Sequence, residues 1–124
     1  GIDMVSLAGN HVADCGAQGI ADTVRGLDAK GIAHAGAGLN LRQARLPAVR
    51  NVRGFRIALL SYNCVGPASA WADTDRAGCA YLPLVTSDGA PQTPQSTISG
   101  IADSAFAILQ DDIDAARKVV ELAG

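Results

Sequence analysis

Chemistry is most readable in this sequence at Gly9-Asn10-His11, with Asp14 three residues further on. An asparagine side chain offers a neutral carbonyl oxygen to a hard divalent ion. A histidine offers an acid, a hydrogen-bond donor or another ligand. The cluster directly follows a short apolar run, Asp3 to Leu7, closed by Ala8. That run reads as a buried parallel strand. Ligands of open α/β sheets bind beyond the carboxyl ends of strands, so polar residues there stand where a site belongs. The spacing alone leaves two readings open, a site or a structural Asn-His turn.

Other reactive residue types are scattered. Cys15, Cys64 and Cys79 are odd in number and form no CxxC pair, which argues against a simple disulfide framework and for three reduced thiols, at least two of them partly buried. Asp73 and Asp75 sit in WADTDRAG, either a loop near a site or a solvated acidic loop. Tyr62 and Trp71 line a cleft or fill a core. Arg42, Arg45, Arg50, Arg53 and Arg56 recur along adjacent elements. They suit a polyanion, and ordinary solvation of amphipathic surfaces explains them as well. The glycine-rich HAGAGLN stretch lacks both GxGxxG spacing and GK[ST], so its glycines read as a tight turn.

The elements that must position these residues alternate. After the first strand, a helix is expected from about Ala17 to Lys30. Ile20, Val24 and Leu27 make its apolar stripe, with Asp22, Arg25 and Asp28 toward water and Gly31 as its left-handed cap. Ile32 to Ala35 gives a second short strand, completing a strand–helix–strand unit with parallel pairing. Asn40 caps a short helix LRQAR, and Pro47 lies beyond its end. AVRNVRGFRIALLSYN reads as two strands turning at Arg53-Gly54, the second entering the centre of a sheet. Ala80 to Val85 is a weak strand candidate because of Pro83. Residues 86–100 read as a mobile, turn-rich loop. A last helix runs from about Leu109 to Leu122 with Ile113, Ala116 and Val120 as its stripe. Asp111, Asp112 and Asp114 cluster near its start, where acids meet the positive end of the dipole. The whole is an α/β arrangement, a parallel-leaning sheet with both long helices packed on it.

Composition bounds the function classes. Apolar residues are 48% of the 124, enough for one core, but aromatics are only 4%, so Ala, Val, Leu and Ile must build it. Ten basic against twelve acidic residues leave a net charge of −2 with no like-charge run, which excludes a nucleic-acid footprint. No stretch approaches the roughly 18 consecutive apolar residues of a membrane helix.

Residues 1 to about 67 resemble the bacterial capsule-synthesis family called CapA, or poly-γ-glutamate biosynthesis protein. Those proteins read as strand, Asn-His, Asp-x-Gly, helix, G-I-x-x-x-G-A-G and A-R-x-P. The matching residues are Asn10-His11, Asp14 with Gly16, Gly31-Ile32, Gly36-Ala37-Gly38, and Ala44-Arg45 with Pro47. The strand ending in Ser61-Tyr62 also fits, and the resemblance returns loosely at the last helix. The family is similar to calcineurin-like metallophosphoesterases, whose sheets form an αββα sandwich with a two-metal site at the strand ends, and Gly9-Asn10-His11 matches their Gly-Asn-His signature.

The resemblance implies divalent metal ions in the full-length protein, with Asn10 as a ligand. His11 would face the substrate phosphoryl group or its equivalent, and Gly9 and Asp14 would support the turn, Asp14 orienting His11. His34 matches no ligand position and reads as structural or exposed. No Asp-x-His motif precedes the signature here, and further His ligands belong downstream of the last helix. The expectation is therefore a partial metallophosphatase-like domain, residues 1–124 as one fragment with no tightly bound metal of its own. Its partner would be the remainder of the domain, with a homodimer through exposed strand edges as another outcome. The implied function is capsule or poly-γ-glutamate polymer metabolism by a metal-dependent phosphoesterase-like hydrolase. The alternative is a non-catalytic component handling an anionic polymer. Cellular location is left open, with the cell envelope implied by the family.

Overall fold

The computed structural model describes residues 1–88 and 98–121. Strand β1 (Met4–Ser6) leads through the Asn-His turn into helix α1 (Gly16–Ala29), then β2 (Ala33–Ala35) and β3 (Ala37–Gly38). The short helix α2 (Leu41–Ala44) precedes the hairpin β4 (Ala48–Val52) and β5 (Phe55–Leu59). A single 3-10 turn at Ala68–Ala70, the strands β6 (Gly78–Cys79), β7 (Leu84–Thr86) and β8 (Ile98–Ile101), and helix α3 (Asp103–Glu121) complete the order. This is a partial α/β fold.

The first unit follows its residues closely. β1 and β2 pair in parallel, Met4 opposite Ala33 and Ser6 opposite Ala35, so α1 is the crossover between them. Ile20 is 1% exposed, and Val24 and Leu27 are half-buried on the same stripe. A fully buried isoleucine contributes roughly 1.5–3 kcal/mol. The helix ends as its sequence implies. Gly31 N–H donates to Asp28 at 3.0 Å and Ile32 N–H to Leu27 at 3.0 Å, the paired bonds of a Schellman ending. Asn40 caps α2 by accepting from Gln43 N–H at 2.9 Å. Arg53 and Gly54 both take positive φ, 50° and 85°, the two-residue turn that matches the twist of a hairpin.

Sheet organisation departs from the expected parallel-leaning sheet. Among the described residues the strands form four separate pairs, and only β1–β2 is parallel. Among the described residues β5 pairs with β4 alone rather than in the expected sheet centre, and Ile57 is 46% exposed. The weak candidate Ala80–Val85 splits, with β6 before it and β7 overlapping its end. The stretch 86–100, expected as a mobile loop, carries paired strand at both ends, Thr86 on β7 and residues 98–100 on β8. Residues 89–97 lie outside the described residues.

The last helix starts at Asp103 rather than near Leu109. Asp111, Asp112 and Asp114 are therefore mid-helix and do not meet its positive end. The expected stripe holds in part: Ala116 is buried and Val120 half-buried, while Ile113 is exposed and Ala105 and Asp112 are buried instead. Leu122 lies outside the described residues. The core elsewhere is built from small side chains, as scarce aromatics require. Ala44, Ala72 and Ala80 cluster with Leu41 and Tyr62 against them. No described helix is long and apolar enough to cross a membrane.

Candidate functional site

The Asn-His turn lies at the carboxyl end of β1, where it was expected. Leu7 N–H donates to Ala35 at 2.8 Å, extending the parallel pairing to the edge of the turn. The chain then folds through consecutive turns, with Val12 N–H to Gly9 at 3.3 Å, Asp14 N–H to His11 at 3.1 Å and Gly16 N–H to Ala13 at 2.9 Å. These bring Asp14 back onto the ring of His11, whose Nδ1 is 2.9 Å from Asp14 Oδ2. Both side chains stand in solvent, 79% and 64% exposed. With Nδ1 held by the carboxylate, Nε2 is the ring nitrogen left to meet a ligand. Gly9, Asn10, His11 and Asp14 line one open cavity of about 490 Å³. All four sequence-selected residues are thus brought together.

The arrangement can present an imidazole nitrogen and an amide oxygen to a ligand at a strand end. Asn10 offers one neutral oxygen, and the Asp14 carboxylate is already engaged by His11. Among the described residues no group of three or more His, Cys, Asp or Glu side chains is placed to hold a metal ion, whereas a catalytic ion takes about three protein ligands.

Residues weighed as secondary candidates fall elsewhere. His34 is partly buried and pairs through Nε2 with Asp28 Oδ1 at 2.8 Å, a structural contact between β2 and α1. Asp73 caps its own turn, accepting from Thr74 N–H at 2.8 Å, and neither Asp73 nor Asp75 lines the signature cavity. Trp71 stacks on Tyr81 with ring centroids 4.5 Å apart. All three cysteines are free, with Cys15 exposed, Cys64 half-buried and Cys79 buried. Burial pushes the Cys64 thiol up, and pushes Cys79 up to about 11.

The arginine series divides. Arg45 grips Asp112, Arg50 donates to the Gly31 carbonyl, and Arg56 donates to Asn51 and to the Val119 carbonyl at 2.8 Å. Arg42 and Arg53 stand exposed. Asp112, on α3, also accepts from the Tyr62 hydroxyl at 2.6 Å. The hydrogen bonds to Asp112 push the Arg45 guanidinium further up, and burial together with the hydrogen bond to Asp112 pushes the Tyr62 hydroxyl up. The Arg of A-R-x-P and the Tyr after β5 therefore meet on one aspartate.

Three residues have structural roles that the sequence reading does not assign, two of them beside the site. Asn63, only 5% exposed, donates from Nδ2 to the Ala8 carbonyl at 3.3 Å. Its position directly after an apolar strand was a usable signal, the same one that marked Asn10. Gly36 is the second. Its φ is 102°, and a Cβ there would lie 2.8 Å from both Ala8 Cβ and Ser61 Oγ. Ser61 in turn bonds Ser6 through their hydroxyls. Asp112 is the third, and nothing in a run of acids distinguished it.

Comparison with known proteins adds the family. The capsule biosynthesis protein CapA of Bacillus anthracis is 32% identical over 78 residues, 63% of this chain and 19% of that protein. The matched segment thus spans about a fifth of the length of that relative. A family model described as bacterial capsule synthesis protein PGA_cap matches residues 1–123. The ordered strand, Asn-His turn and helix, with a match over nearly the whole chain, place this protein in the bacterial capsule synthesis family.

Proposed function

We propose that the chain forms one wall of a phosphoesterase-like hydrolytic site in a longer protein of capsule polymer metabolism, poly-γ-glutamate being the polymer that the family resemblance implies. The observation that carries this reading is the His11–Asp14 pair at the end of β1, open to a cavity. An exposed imidazole oriented by a carboxylate is suited to donate a proton or hydrogen bond to a developing oxyanion or leaving group. Asn10 stands beside it, exposed to solvent. In the full-length protein Asn10 is proposed as one ligand among several of a divalent ion, the others coming from outside the described residues.

The test uses the full-length protein, with metal analysis and a generic phosphodiesterase assay. His11→Ala should lower turnover by roughly 10²–10⁴-fold with metal content largely kept. Asn10→Ala should lower metal occupancy as well. Unchanged turnover in His11→Ala removes the catalytic role. A full-length protein with neither metal nor turnover moves the reading to a non-catalytic component that handles an anionic polymer.

A further inference from the structure

We propose that Asn63 is the positioning residue of the Gly9–His11 turn and ties that turn mechanically to the loop ending on Trp71. The inference rests on the functional reading of the turn given above. Ala8 is the last residue before the signature, and the amide of Asn63 holds its carbonyl from inside the fold. The other end of the same amide gathers the 64–71 loop. Oδ1 accepts from Val65 N–H at 3.2 Å, Gly66 N–H at 2.8 Å and the Trp71 indole N–H at 3.0 Å.

The main chain of Asn63 cannot slide to absorb a change. Its N–H donates to Ala80 at 2.8 Å and its carbonyl accepts from Leu82 at 3.0 Å. The side-chain ends are also not interchangeable. A flipped amide would aim NH₂ at three N–H groups and oxygen at a carbonyl, so the partners fix the orientation. The link is thus a single buried side chain with its donor end on the site and its acceptor end on the loop.

Asn63→Asp separates the two ends. Aspartate keeps the acceptor for Val65, Gly66 and Trp71, and a carboxylate accepting several N–H bonds tolerates burial in its charged form. It loses the donor toward Ala8 and sets an oxygen against that carbonyl. The experiment is made on full-length protein with selective ¹⁵N labelling, using His11→Ala and Trp71→Phe to assign resonances, and with the phosphodiesterase assay as the kinetic readout. In Asn63→Asp the Trp71 indole resonance should stay near its original position while the His11 amide resonance moves. Turnover should fall roughly tenfold to a hundredfold, with KM changed little, as expected of a small misplacement of a reacting group.

A His11 resonance that stays in place overturns the proposal, and so does one that moves with turnover unchanged where His11→Ala has lowered turnover. So does a variant in which the Trp71 resonance and melting temperature change together with turnover, since that describes a general packing role. Failure of the functional reading is separable. If His11→Ala leaves turnover unchanged, that reading falls, and the resonances of Asn63→Asp still decide the mechanical link.

Discussion

Arg45 holds Asp112 in a fork, Nη2 to Oδ1 at 2.8 Å and Nε to Oδ2 at 3.0 Å. The pair joins two distant parts of the chain, the segment after α2 and the middle of α3. It is mostly buried, with side chains 27% and 11% exposed. Removing one partner of such a pair leaves the other charge without compensation. Asp112→Ala should therefore destabilise the fold by about 3 kcal/mol, toward the lower end of the range for buried pairs because Arg45 keeps some water. Tyr62 loses its acceptor in the same variant. Urea unfolding measures the loss, and an unchanged midpoint would show that the Arg45–Asp112 pair contributes nothing to holding α3.

Gly36→Ala should be costly at a position that carries no reactive group of its own. The backbone there has φ of 102°, which an alanine adopts only with strain, and the new methyl would meet Ala8 and Ser61. Strain and overpacking together predict a loss of about 2–4 kcal/mol. Thermal unfolding checks the magnitude. A melting temperature equal to that of the parent would mean that the β1 end has room to yield, contrary to the geometry.

The strand–helix–strand start was legible because each signal was local. Ile20, Val24 and Leu27 set the helical period, Gly31 stopped it, and Arg53-Gly54 announced the hairpin. Sheet partners were not legible, since pairing is decided by residues distant in sequence. β3 meets β6 at Ala37 and Cys79, and no local pattern joins those two. The last helix was misread for a physical reason. Three aspartates resemble a helix start, yet one of them is buried because Arg45 and Tyr62 are there to receive it. The signature residues stand out by their place after a strand, whereas Asn63, four residues past β5 as Asn10 is four past β1, belongs to no family motif that singles it out.

The thiols should react in the order Cys15, Cys64, Cys79. Cys15 is exposed, while burial raises the other two, Cys79 to about 11. At pH 8 a thiol-reactive dye should label Cys15 readily and leave Cys79 untouched until the protein unfolds. The same shifts set an alkaline limit. Cys79 and Tyr62 are both raised in the folded state, so their contributions are fully present below their unfolded pKa values and fade as pH climbs through the folded ones. Unfolding midpoints should hold steady to about pH 8 and decline progressively above it, given ordinary thiol and phenol values near 8.5 and 10. A flat profile to pH 11 would contradict the burial of Cys79.

Asp14 offers a test in which stability and activity should part. Its pairing with His11 is solvent-exposed on both sides, and exposed ion pairs contribute between nothing and about 1 kcal/mol. Asp14→Ala should thus move the unfolding free energy by less than about 0.5 kcal/mol, as for most surface substitutions. Turnover of the full-length protein should respond differently, because the carboxylate fixes which way the imidazole points. Freed from Oδ2, the His11 ring samples other rotamers, and a reacting group displaced by about 1 Å loses on the order of a hundredfold. Asp14→Asn keeps an acceptor for Nδ1–H and should retain more activity than Asp14→Ala. The comparison is made by urea unfolding and kcat on the same preparations. Loss of stability with full turnover in Asp14→Ala would show that the residue builds the turn and does not orient His11. Equal turnover in the two variants would show that the charge of Asp14, which both lack, matters more than the hydrogen bond that only Asp14→Asn retains.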